Sequence, residues 1–172
     1  MNADDLRALQ APLKDKYREA PEAALITLTA RGELDADGVA CRVDTGKALI
    51  EAGLHPATGG TGALACSGNM LLDALVACAG VTLKAVATAI GFSLEGGVVS
   101  AEGDLDFRGT LGVAKDAPVG FRDIRLTFEL KTGEPQERID QLIKLTERYC
   151  VVYQTLARPA HLDLTVKAIP GR

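Results

Sequence analysis

The hydrophobic pattern has one dominant feature, the stretch Met70 to Ile90, MLLDALVACAGVTLKAVATAI, which is apolar on every side and charged only at Asp73 and Lys84. Ala, Leu and Met dominate it, so it predicts a helix. Asn69 is the candidate N-cap, and Gly91 is placed to stop the helix in a left-handed turn. A helix without a polar face is expected to be buried, with the rest of a domain wrapped over it.

Elsewhere the period is mostly two. Leu25 to Thr29 alternates as LITLT, Asp35 to Gly38 reads as a turn, and Val39 to Val43 answers as a second strand, so a hairpin is expected. Gly53 to Gly68 reads as a flexible glycine loop. Val98 to Val113 predicts a strand bent at Gly109 and Gly112, and Lys115 to Gly120 a hairpin loop. Phe121 to Lys131 is the clearest strand, with Ile124, Leu126, Phe128 and Leu130 on one face and Arg125, Thr127, Glu129 and Lys131 on the other. A helix then starts at Pro135, with Ile139, Leu142, Ile143 and Tyr149 on its inner stripe and Cys150 at its end. Val151 to Leu156 predicts a short further helix, and His161 to Val166 a last alternating strand.

Hairpins on either side of one buried helix, without βαβ alternation, indicate an α+β fold with antiparallel sheets around a long central helix. Residues 3–19 read as an amphipathic helix interrupted by Pro12, with Leu6, Leu9, Leu13 and Tyr17 on one face. The expected organisation is an N-terminal helical arm over 1–23 and a single domain over 24–172.

Composition narrows the function. At 172 residues the chain can bury a core without disulfide staples. Its net charge of −4 is interspersed and it has no Trp, which argues against nucleic acid and anionic membrane surfaces as partners. Asp73 and Lys84 would lie in the hydrocarbon if the central helix spanned a bilayer, at about 2.5–3.5 kcal/mol each, so a core helix is expected and no membrane. The acidic start MNADDLRALQ lacks a signal-peptide layout, which points to the cytoplasm and to thiols rather than structural disulfides.

The candidate chemistry is limited. No Cys or His pair has CxxC or HxxxH spacing, His55 and His161 are far apart, and there is no GxSxG elbow, so zinc and serine-hydrolase sites are not indicated. Gly60 to Ala65 fits GxGxxA but follows no buried strand, leaving only a backbone anion pocket as a minor reading. Asp73 is expected at a rim or in an ion pair. Cys41 reads as a small half-buried strand residue.

Cys78 and Cys150 are different, because each sits in a recognisable context. LLDALVACAGVTL resembles the LLLAALAACxAMTL helix of the OsmC/Ohr family, the osmotically inducible and organic hydroperoxide resistance proteins, and ERYCVVYQTL resembles its second cysteine motif, CPVSQTL. The order of elements agrees from about residue 24 to 168. This resemblance implies an OsmC-like fold in an intertwined homodimer, and a thiol peroxidase. Cys78 would attack the hydroperoxide and become a sulfenic acid, and Cys150 would resolve it to a disulfide. A lipoyl-type dithiol would act as external reductant, with no metal or bound cofactor. The family also supplies an arginine from the N-terminal strands to hold the thiolate, and Arg31 and Arg42 are the candidates.

The sequence departs from the family pattern in three places. Ser67 to Met70 stands where peroxidases of the family carry a glutamate, Val151 replaces the proline after the second cysteine, and Cys66 is an additional thiol. Two classes of function follow: a two-cysteine hydroperoxide reductase, or a redox-inactive protein of the same fold that holds a small apolar ligand or a partner. A homodimer is expected on physical grounds too, since two hairpins give so apolar a helix little cover.

Overall fold

The apolar stretch folds as one helix, α1, Ser67–Ala89. The computed structural model describes residues 2–5, 7–8, 10–11, 19, 49–112 and 114–168, and the backbone alone of Arg31–Leu34 and Ala40–Asp44. Residues 3–5, 7–8 and 10–11 are helical, while Leu6, Leu9, Leu13 and Tyr17 lie outside the described residues. In α1 the N-cap is Cys66, whose side chain makes no capping bond, so Asn69 falls inside the first turn and not before it. The helix stops where expected, with Gly91 at φ +62°.

Before α1 lie β1 (Arg31–Leu34), β2 (Ala40–Asp44) and β3 (Leu49–Gly53), one antiparallel sheet in the order β1-β2-β3. The partner of β2 is therefore Arg31–Leu34, with Leu34 opposite Cys41; Leu25 to Thr29 and the turn at Asp35 to Gly38 lie outside the described residues. β3 was not expected, because only five residues, LIEAG, carry it. The glycine loop after it is held in place, which corrects the flexible reading. Pro56–Thr58 forms a turn of 3₁₀ helix, Gly60 N–H donates to the His55 carbonyl at 3.1 Å, and Gly53 N–H to the Ala65 carbonyl at 3.0 Å. A Cβ at Gly60 would collide with the Leu54 carbonyl, so that glycine of the GxGxxA pattern serves close backbone packing.

After α1 come β4 (Gly96–Leu105), a one-turn helix α2 (Phe107–Thr110), β5 (Phe121–Lys131), α3 (Gln136–Tyr149) and α4 (Val151–Ala157). β4 and β5 form a two-stranded antiparallel ladder from Gly96 opposite Lys131 to Leu105 opposite Phe121. The expected strand to Val113 ends at Leu105, because Asp106 caps α2 by accepting from Arg108 N–H at 3.1 Å. In β5 the expected alternation holds, with Ile124, Leu126, Phe128 and Leu130 turned inward.

The core is one stripe of α1 set against α3 and the sheet. Leu83, Val86 and Ala87 pack with Phe92 and Leu142, and Phe128, Leu130, Ile139 and Ile143 close around them. Each buried Leu or Phe there is worth about 1.5–3 kcal/mol. The turn after α1 is tied to the start of α3: Arg138 Nη2 donates to the Ile90 carbonyl at 3.1 Å and the Gly91 carbonyl at 3.3 Å, and Ser93 N–H donates to Glu134 at 2.8 Å. A cation on the last carbonyls of α1 also suits the helix dipole.

Three further expectations are corrected. α1 is long and apolar enough to cross a membrane by length and composition, and within this chain it is covered on one side only, since Val81 is 73% and Leu71 39% exposed. Tyr149 is 58% exposed and leaves the inner stripe of α3, where Thr146 is buried instead. His161 to Val166 forms no strand; Leu162, Leu164 and Val166 are 88%, 92% and 83% exposed. Alternation makes a strand only where a sheet edge lies opposite it, and among the described residues none meets this segment.

Candidate active site

Cys78 lies at the start of the fourth turn of α1, half-buried, beside the fully buried Ala79. Cys150 is the hinge between α3 and α4, the C-cap of one and the N-cap of the other, with extended backbone at φ −75°, ψ 109°. Its N–H donates to the Thr146 carbonyl at 2.9 Å and its carbonyl accepts from Gln154 N–H at 2.9 Å. Those bonds continue both helices through the corner without the family's proline, and leave Cys150 only 1% exposed. α4 packs across α1, and this contact sets the two thiols close enough for each to shift the ionisation of the other.

The electrostatics of the pair are unequal. Burial pushes the Cys78 thiol up, but hydrogen bonding from the Val152 N–H, the Cys150 thiol, the Val151 N–H and the Thr82 hydroxyl, in falling order of effect, outweighs it and brings the thiol below its ordinary value. Cys150 moves the other way. Its own burial pushes it up most, and the neighbouring Cys78 sulfur adds to that against the N–H groups of Tyr153 and Val152. The pair is thus an accessible sulfur biased to thiolate and a buried one biased to thiol. Thiolate is the nucleophilic form of cysteine, so of the two sulfurs Cys78 is the one disposed to react as a nucleophile.

The remaining candidates are distributed elsewhere. Arg31 lies opposite Asp44, and Arg42 opposite Glu33 and Glu51; the side chains of both arginines, and that of Cys41, lie outside the described residues. Cys66, as N-cap of α1, lines a separate cavity with His55, Asn69, Phe107 and Phe121. Twelve residues of helix put it about 18 Å along the axis from Cys78, beyond the roughly 7 Å between Cα atoms that a disulfide allows. Asp73 is exposed, as a rim carboxylate. His55 stacks on Phe107 at 4.9 Å, and His161 pairs with Asp163 at 3.2 Å on the surface. Among the described residues no group of three or more His, Cys, Asp or Glu converges.

Sequence reading missed the donors. The Val151 and Val152 amides become visible only once α4 is placed on α1, whereas Thr82 could have been found from its i+4 spacing to Cys78. It also missed a cavity of about 510 Å³ between the inner face of β5 and α3, walled by Leu126, Phe128, Ile143 and Thr146. Cys150 and Tyr153 line it; Cys78 does not.

The sequence matches the family of OsmC-like proteins over residues 60–165, more than half of the chain and a span that includes both cysteines. The chain belongs to the OsmC-like family. Its fold agrees with solved structures of that family. An OsmC-like protein from Mycoplasma pneumoniae is similar at a TM-score of 0.65 and 18% identity, covering 78% of this chain and 89% of that one. An organic hydroperoxide resistance protein OsmC from Legionella pneumophila is similar at 0.60 and 18%, covering 78% and 92%. The organic hydroperoxide resistance protein OhrB of Bacillus subtilis is similar at 0.51 and 19%, covering 77% and 92%. At such identities the likeness is one of fold. A comparison with curated proteins gives no match.

Proposed function

We propose that this OsmC-like protein is a two-cysteine hydroperoxide reductase. The observation that carries the reading is the unequal thiol pair: Cys78, accessible and biased to thiolate, against Cys150, buried and biased to thiol. The Cys78 thiolate attacks the terminal oxygen of the hydroperoxide. The O–O bond breaks, the alkoxide leaves and takes a proton as the alcohol, and sulfur, oxidised by two electrons, becomes a sulfenic acid. Cys150 then attacks that sulfur; its proton leaves with the sulfenic hydroxyl as water, and a disulfide forms. An external dithiol of lipoyl type returns two electrons through a mixed disulfide and restores both thiols. No metal or bound cofactor enters any step.

The donors at Cys78 take part of the role that the family gives to an arginine, with Arg31 or Arg42 as the cation from the strands. We assign the working form to a cytoplasmic, intertwined homodimer. The exposed side of α1 around Val81 and the unpaired stripe Leu162, Leu164 and Val166 support this, since each is apolar surface left without cover in one chain. Stopped-flow oxidation with hydrogen peroxide, tert-butyl hydroperoxide and a lipid hydroperoxide, followed by recycling with dihydrolipoamide, tests the reading. Rapid, saturable loss of both thiols is expected; thiols that outlast the peroxide overturn it.

The second reading, a redox-inactive protein that holds a small apolar ligand, draws on the cavity beside β5, whose walls are mainly aliphatic and aromatic. It gains if the thiols fail the stopped-flow test while an apolar fluorophore binds stoichiometrically.

A further inference from the structure

We propose that the cavity beside β5 is a binding site for an aliphatic carboxylate, with Arg122 as the anchor of its charged end. The proposal rests on the reading of that cavity as a ligand site and gives the ligand a second, polar half; it requires no turnover at the thiols. At about 510 Å³ the cavity has the size of a small-molecule site. Its walls are Ile124, Leu126 and Phe128 of β5 and Ile143 of α3, and its deep end is formed by Leu75 and Ala79 of α1, 2% and 0% exposed. Polar groups at that depth are already satisfied: the Thr146 hydroxyl donates to the Leu142 carbonyl at 2.8 Å, and Cys150 N–H to the Thr146 carbonyl at 2.9 Å. An unbranched carbon chain lying there leaves neither of them unpaired.

The open end is charged. Of the residues that line the cavity only Arg122 and Glu147 carry charge, and both are exposed. Arg122 is the extra residue of a β-bulge: Asp104 stands opposite Asp123 and Leu105 opposite Phe121, so Arg122 has no partner on β4. A bulge breaks the alternation of a strand and re-aims a side chain. Arg122 lines both the apolar cavity and the outer pocket that holds Asp104 and Asp106. Those two carboxylates are held by other arginines, Asp104 by Arg125 Nη2 at 2.9 Å and Asp106 by Arg108 Nη2 at 2.6 Å. Among the described residues the Arg122 guanidinium has no ion pair or hydrogen bond of its own. A guanidinium left over at the mouth of an apolar cavity matches a carboxylate, whose two oxygens fit its fork. Glu147 at the same mouth disfavours a doubly charged head such as a phosphate.

The test is calorimetric titration of the full chain near neutral pH, with no hydroperoxide present, using octanoate, 1-octanol and octylammonium as probes. Octanoate is expected to bind stoichiometrically and more tightly than the other two. Arg122→Gln is expected to weaken octanoate about tenfold, the scale of one partly exposed charge-assisted hydrogen bond. The same variant is expected to bind 1-octanol as the wild type does, which also shows that it has folded. Glu147→Gln is expected to tighten octanoate, and Arg122→Glu to turn the preference toward octylammonium. Octanoate and 1-octanol bound equally by the wild type, or octanoate binding unchanged in Arg122→Gln, overturns the anchor and leaves the reading of an apolar ligand standing. A cavity closed by a second copy would bind none of the three probes, and that result removes both, so the two failures are distinguishable.

Discussion

At the scale of single residues, the site is a difference between two sulfurs. The folded protein lowers the pKa of Cys78 and raises that of Cys150, so rising pH ionises Cys78 first and Cys150 later. Because only the thiolate reacts, Cys78 labels with iodoacetamide at a pH below that of a free thiol, and Cys150 only at a pH above it. Overlapping labelling profiles for the two peptides would contradict that assignment. Cys78→Ser is expected to abolish hydroperoxide turnover, while Cys150→Ser is expected to accumulate a sulfenic acid on Cys78 that over-oxidises with excess peroxide, visible as added oxygen mass on that peptide. Cys41→Ala is expected to leave turnover unchanged, since Cys41 lies in the middle strand β2, opposite Leu34 and Ala52. Much of this was legible in the sequence, because both cysteines stand in motifs a few residues long. The donors to Cys78 were not, because two of them are backbone amides of α4, seventy residues away, and an amide leaves no mark in a sequence.

At the scale of elements, the distance between the thiols depends on how α1 and α3 are held. Arg138 joins the carbonyls that end α1 to the first turn of α3. Arg138→Ala removes those bonds and the cation at the end of the helix dipole, and is expected to cost about 1–2 kcal/mol in urea unfolding. Leu83→Ala, in the centre of the core stripe, is expected to cost about 2–5 kcal/mol. A larger loss for Arg138→Ala than for Leu83→Ala would mean that the tie outweighs the core. The sequence was read correctly for β5 and for the extent of α3 and α4, where period two or period 3.6 runs without interruption. It was misread where one side chain ends an element. Asp106 starts α2 inside what looked like a continuous strand, and five residues proved enough for β3 once β2 lay beside them. His161 to Val166 has the pattern of a strand and meets no sheet edge among the described residues, which no single sequence discloses.

At the scale of the whole molecule, two apolar surfaces among the described residues are open, the side of α1 around Val81 and the stripe Leu162, Leu164 and Val166 beyond α4. The homodimer reading expects both to be covered by a second copy. Sedimentation at micromolar concentration should give a dimer, and Val81→Glu should shift it toward monomer; a wild-type monomer would remove the interface altogether. The account as a whole stands on the pairing of the two helix-borne thiols, and peptide mapping tests that pairing most directly. After one equivalent of tert-butyl hydroperoxide, a non-reducing digest should contain a Cys78–Cys150 cross-linked peptide, with Cys66 still free. A Cys66–Cys78 peptide, or two free thiols at 78 and 150 after the peroxide is spent, would contradict it.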